Sequence, residues 1–182
     1  MNRLEQALRR ADLLYDEAAI REAIARMGRD IDAALDGEDA VLITVMNGAL
    51  VFAAQLALSI RSDLTFDYVH ATRYHDNRGG QLRWLRRPAV DLAGRNVLLA
   101  DDILDEGHTL KAVREACVEQ GASRVLVATL STKMHGRRVP GIEADFNGVE
   151  LPDRYVFGYG MDYHEQGRNL PAIYALPAEE PA

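Results

Sequence analysis

Residues Asn96–Leu110 read NVLLADDILDEGHTL, and this stretch decides the fold. Asn96–Ala100 is apolar without alternation, the pattern of a strand buried on both faces of a parallel sheet. The strand ends in two adjacent carboxylates, Asp101 and Asp102, and a third, Asp105, follows three residues later. Glu106-Gly107-His108-Thr109 then leads into a helix predicted over Thr109–Gln120 and stopped by Gly121. In open α/β sheets, ligands sit at the carboxyl ends of the strands. A helix starting there offers unpaired N–H groups and a positive dipole end, which hold a phosphate. Gly107 lets the backbone approach closely, and Thr109 adds a hydroxyl. Ionised Asp101 and Asp102 are acceptors only, suited to sugar hydroxyls or a hydrated Mg²⁺. The same residues also fit a structural turn, with Asp105 as the N-cap of the following helix. A P-loop needs G-x-x-x-x-G-K-[ST], and neither Lys111 nor Lys133 stands in that pattern. The dinucleotide pattern G-x-G-x-x-G is missing too.

Elements of the same kind flank this stretch. Residues 16–35 form an amphipathic helix, with Ile20, Ile24, Met27, Ile31 and Leu35 at spacings of three and four. Asp16 is its predicted N-cap, and Gly37 lies just past its end. Ala40–Met46 is a second buried strand, broken by Asn47-Gly48 before an apolar helix over Ala49–Ile60. Leu64–Ala71 alternates like a strand. Thr72–Gln81 is polar with a Gly79-Gly80 pair, which predicts a mobile loop, and Gln81–Val90 offers a second hairpin arm. Val125–Leu130 and Tyr155–Gly160 read as further strands. Strands alternating with helices predict a single α/β domain over residues 1–182, with a central, mostly parallel sheet flanked by helices.

The 182 residues carry 21 Lys plus Arg against 28 Asp plus Glu, a formal net charge of −7. That balance argues against a nucleic-acid partner, which usually meets a basic surplus. One cysteine, Cys117, excludes an intrachain disulfide framework and a Cys-rich zinc site, and it reads as a buried helix residue. None of the five histidines stands at metal-ligand spacing with a partner carboxylate, so oxygen-ligated Mg²⁺ fits better than zinc. The charged opening MNRLEQALRRADLLYDE lacks the apolar run of a signal peptide, and no stretch reaches the length of a membrane span. A cytoplasmic protein without a membrane partner is expected.

VLLADDILDEGHTL resembles the phosphoribosyl-diphosphate (PRPP) signature of type I phosphoribosyltransferases: an apolar strand, two acidic residues, two small or apolar ones, then Asp/Thr-x-Gly-x-Thr. More narrowly, the chain resembles hypoxanthine-guanine phosphoribosyltransferases from about Leu14 to Arg168. LLYDEAAIREAIARMGRDI is similar to their helix opening, VMNGALVFAAQL to their pyrophosphate loop and following helix, and DYVHATRY to the strand entering their lid. PDRYVFGYGMDYHEQGRNLP resembles their C-terminal base-binding segment. The resemblance implies the type I phosphoribosyltransferase fold with a small hood, built mainly from about residues 150–182 with an N-terminal contribution. It also implies Mg²⁺ as cofactor, PRPP and a purine base as substrates, and a homodimer or homotetramer.

The same resemblance assigns roles. Asp101 and Asp102 bind the ribose hydroxyls, directly or with metal help. Asp105 sits near purine N7 as general acid/base, and Asp105, Glu106, Gly107, His108 and Thr109 wrap the 5′-phosphate. Lys133 donates to the purine O6, which favours 6-oxo over 6-amino purines because an amino group cannot accept that bond. Tyr155 stacks on the purine and the backbone around Val156 reads its edge. Asp162 ligates Mg²⁺ or lies beside it while its backbone contacts the base. Arg168 and Asn47-Gly48 bind pyrophosphate, the latter often across a cis peptide. Many relatives carry lysine where this chain has Asn47, so one positive charge near the diphosphate is missing. Arg73 and Tyr74 open the lid, which excludes water during catalysis. Two alternatives accompany this reading: an enzyme of the same fold acting on another base such as xanthine, and a non-catalytic regulator that keeps the PRPP fold but binds nucleic acid.

Overall fold

The protein is described by a computed structural model covering residues 2–73 and 82–178. The elements are α1 (Arg3–Leu8), β1 (Asp12–Tyr15), α2 (Glu17–Leu35), β2 (Ala40–Met46), α3 (Leu50–Ser59), β3 (Leu64–Arg73), β4 (Leu82–Arg86), β5 (Asn96–Leu104), α4 (His108–Glu119), β6 (Arg124–Lys133), β7 (Phe146–Leu151), β8 (Val156–Phe157) and β9 (Ile173–Ala175). Six strands form the central sheet in the order β4-β3-β2-β5-β6-β7. All neighbours in it are parallel except β4, which folds back antiparallel on β3.

The apolar runs are continuous because alternate residues of one strand feed two different cores. Leu42, Leu98, Ala128 and Leu130 face α2 and α3. Val41, Ile43, Leu99 and Val127 face the α4 side, where Cys117 is buried as expected. Helix α2 lays Ile20, Ile24, Met27, Ile31 and Leu35 on the first of these cores. Each such side chain contributes roughly 1.5–3 kcal/mol by leaving water. The Asp16 carboxylate accepts the Ala19 N–H and starts this helix, as predicted. Asp36, in the left-handed conformation, ends it.

Three local expectations are corrected. β5 does not stop at Ala100: Asp101 pairs with Thr129 and Ile103 with Ser131, so the carboxylates lie within the ladder. Neighbouring β6 is long enough to satisfy their backbone. Of Tyr155–Gly160 only Val156–Phe157 is a strand, because Gly158 and Gly160 turn through positive φ. The second hairpin arm is shorter than Gln81–Val90, spanning Leu82–Arg86. α1, β1, β7 and β9 went unread, being short or only partly buried, without a strong period.

A second, three-stranded sheet of order β1-β9-β8 stands beside the first. Phe157 stacks on Tyr174 with ring centres 5.6 Å apart, and Arg154 ties Asp12 to the backbone of Ala175 and Leu176. The Tyr15 hydroxyl donates to the Glu150 carbonyl, joining the small sheet to the edge of the large one. Tyr74 and the rest of the predicted lid through Gln81 lie outside the described residues; Arg73 closes β3. Among the described residues no helix is long and apolar enough to cross a membrane.

Candidate functional site

The carboxyl ends of β2, β3 and β5 open into one polar cleft of about 640 Å³. Asp101, Asp102 and Asp105–Leu110 line it from β5 and α4, Asn47 and Gly48 from the turn after β2, and Arg168 and Glu165 from the C-terminal segment. A smaller cavity of about 220 Å³ adjoins it, lined by Ile103, Lys133, Tyr155, Val156, Met161 and Asp162. Asp102 and Asp105 line both cavities. Asn47, Gly48, Asp101, Asp102, Asp105–Thr109, Lys133, Tyr155, Val156, Asp162 and Arg168 therefore each reach one of these two spaces.

Asp101 and Asp102 are each 8% exposed. Burial pushes the Asp101 carboxyl well above the usual carboxylate range, and the adjacent Asp102 charge pushes it further. Burial raises Asp102 as well, opposed by the hydrogen bond from Asp101 and the Arg168 charge. Ser131 donates to the Asp102 carbonyl at 2.9 Å. The Gly48 backbone lies directly on the Asp102 carboxylate, where any Cβ would collide with it. The Met46–Asn47 peptide is cis, with Asn47 exposed and Gly48 buried beneath it.

Asp105 does not cap α4. The cap position belongs to Gly107, at φ +83°, and no side chain caps the helix. The first N–H groups of α4 are thereby left for the cleft. The Asp105 carboxylate instead faces Lys133 and His135. Lys133 Nζ lies 2.7 Å from Oδ2, and His135 Nε2 lies 2.5 Å from Oδ1. Burial pushes the Asp105 carboxyl up, but these two hydrogen bonds and the Lys133 charge outweigh it and hold the group below its ordinary value.

In the smaller cavity, the Tyr155 hydroxyl donates to the Asp162 carbonyl and its ring meets Tyr163 edge-on at 5.8 Å. Burial raises the Tyr155 hydroxyl. Asp162 is engaged on both oxygens, accepting from Arg168 at 2.7 Å and from the Glu165 N–H at 2.8 Å. Arg168 also donates to the Gly160 carbonyl at 2.6 Å, which fastens the Gly158–Arg168 turn over Gly48. Among the described residues, no group of three or more His, Cys, Asp or Glu is arranged to hold a metal by itself.

The sequence reading did not single out His135. Its spacing of two from Lys133, just beyond the end of a strand, was the available signal, since such residues share a face.

A family model described as the phosphoribosyl transferase domain matches residues 11–165. The chain is 34% identical over 178 residues to the hypoxanthine-guanine phosphoribosyltransferase of Streptococcus pneumoniae, covering 97% of each. Among solved structures, a hypoxanthine phosphoribosyltransferase from Staphylococcus aureus superposes with a TM-score of 0.88 at 28% identity, covering 98% of this chain and 97% of that one. A hypoxanthine-guanine phosphoribosyltransferase from Bacillus anthracis gives a TM-score of 0.86 at 32% identity, covering 91% of this chain and 98% of that one.

Proposed function

Because the chain belongs to the phosphoribosyltransferase family, among the hypoxanthine-guanine phosphoribosyltransferases, we propose that it transfers the 5-phosphoribosyl group of PRPP to N9 of hypoxanthine or guanine. The products are IMP or GMP and pyrophosphate, which makes the protein a purine-salvage transferase. The observation that carries this is the position of Asp105 where the large polar cleft and the small cavity meet.

The large cleft takes PRPP. The unpaired N–H groups at the start of α4, with Glu106, Gly107, His108 and Thr109, hold the 5′-phosphate. Asp101 and Asp102 take the ribose hydroxyls, and Asn47, Gly48 and Arg168 take the pyrophosphate. The buried carboxylates Asp101 and Asp102 supply oxygen donors of the kind Mg²⁺ prefers, and Asp162 shares the small cavity with Asp102; no three-ligand group stands among the described residues, so the ion would arrive with PRPP. Held there, Mg²⁺ would neutralise charge on the leaving pyrophosphate.

The small cavity takes the purine against Tyr155, with Val156 and the Asp162 backbone at its edge. Lys133 turns from Asp105 to donate to O6. The bond from C1′ to the pyrophosphate oxygen breaks as N9 bonds to C1′, through an oxocarbenium-like transition state. Asp105, held ionised by its neighbours, accepts the proton that the purine gives up at N7.

The three-stranded sheet β1-β9-β8 serves as the hood over the base, within one domain spanning residues 1–182. Leu50, Phe66 and Tyr68 form an exposed apolar group on α3 and β3, which supports a homodimer or homotetramer. The protein is assigned to the cytoplasm.

An ultraviolet assay with PRPP, Mg²⁺ and hypoxanthine, guanine, xanthine or adenine tests the reading. Turnover of hypoxanthine or guanine, lost with EDTA, is the expected result. Turnover of xanthine alone would change the substrate, and turnover of none would point to the nucleic-acid-binding alternative.

A further inference from the structure

Given the reaction proposed above, on which this depends, we propose that His135 is the positioning residue that holds Asp105 while Lys133 changes partner. Both Asp105 oxygens are occupied before substrate arrives: Oδ2 by Lys133 at 2.7 Å and Oδ1 by His135 Nε2 at 2.5 Å. The Lys133 ammonium carries three N–H donors, and a move toward a purine O6 loosens its hold on Oδ2. Oδ2 is then freed to face the purine, and His135 is the donor that remains fixed.

The imidazole is built to stay. Its side chain is only 2% exposed. Nδ1 accepts the Arg137 N–H at 3.0 Å, which leaves the ring proton on Nε2, pointing at Asp105. Arg137 is itself held by a two-pronged pair with Asp153, at 2.6 and 2.7 Å. Asp153 lies two residues before Tyr155. The segment that orients the general base is thus tied to the wall that carries the purine. A free carboxylate rotates about its χ2 torsion; one pinned at Oδ1 presents Oδ2 in a single direction.

Three variants of the full chain test this: His135→Leu and His135→Met, which remove the donor, and His135→Gln, which keeps an N–H near the Nε2 position. Thermal melts establish that each is folded, and Met adapts to the space if Leu does not. With PRPP and hypoxanthine, kcat is expected to fall on the order of 10-fold in the donor-less variants, with KM for PRPP within about twofold of wild type. His135→Gln is expected to recover kcat to within about threefold. Unchanged kcat in a folded donor-less variant overturns the proposal. So does an equal loss in His135→Gln, which would mean that packing and not the hydrogen bond matters. Inactivity of the wild type with every base would overturn the transferase reading, and the role of His135 with it. An active wild type beside an equally active His135→Leu overturns the role of His135 alone.

Discussion

Asp101 to Thr109 form one wall of the cleft from consecutive residues at the end of β5 and the start of α4. The cavity beside it draws Lys133 from the end of β6, Tyr155 from just before β8, Val156 from its first position, and Asp162 from the turn after it. The first wall grips largely with backbone: an uncapped helix start, a glycine at φ +83° and two carboxylates locked in a ladder. The second grips with side chains that hold one another, Tyr155 to Asp162, Asp162 to Arg168 and Lys133 to Asp105. A phosphate is recognised by a local feature of the chain. A planar base needs groups on several sides, and only distant segments can supply them.

Asp105 belongs to both walls, so its removal has the largest expected effect. Asp105→Asn is expected to lower kcat by roughly 10²-fold or more while PRPP binding, measured by calorimetry, persists. Unchanged turnover would remove Asp105 from the chemistry and break the link between the walls. The same variant carries a pH signature. The folded Asp105 titrates below its unfolded value, so its stabilisation is complete above the unfolded value and lost as the pH falls through the folded one. The stability gap between wild type and Asp105→Asn in urea unfolding is therefore full above about pH 5 and closes as the pH drops below about 4.

Lys133→Ala separates the walls. The apparent affinity for hypoxanthine is expected to fall on the order of 10- to 100-fold, the scale of a lost charged hydrogen bond, with PRPP affinity changing far less. Equal losses for both substrates would show that Lys133 acts through Asp105 rather than on the base.

The smallest effect is expected at Asn47, which is exposed beside the cleft. Asn47→Lys adds a charge beside the pyrophosphate site, and inhibition by pyrophosphate should tighten about two- to fivefold at low salt. No change at low salt would place pyrophosphate away from this turn.

The β5–α4 wall was legible because its signals are local. A buried strand, adjacent carboxylates and a glycine before a helix can be read without knowing what packs against them. Lys133 and Tyr155 were reached through resemblance rather than physics, since a lysine after a strand or a tyrosine in an apolar segment has many ordinary uses. His135 escaped because its meaning lies in a contact with a residue 30 positions earlier. The short strands β1 and β9 escaped for a related reason: a strand of three or four residues has too little pattern to read until a partner pairs with it.

The sequence by itself determined the parallel α/β sheet, the α2 face that packs on it and the carboxylate-rich end of β5. Periodicity, uninterrupted apolar runs and turn residues act over a few positions, and each was written there. The tertiary structure decided that β5 carries Asp101 and Asp102 inside its ladder rather than beyond it, because β6 extends far enough to pair with them. It also decided that Asp105 faces Lys133 and His135 instead of capping α4, since the end of β6 and the residues just after it bring both side chains to the end of β5 and Gly107 takes the cap.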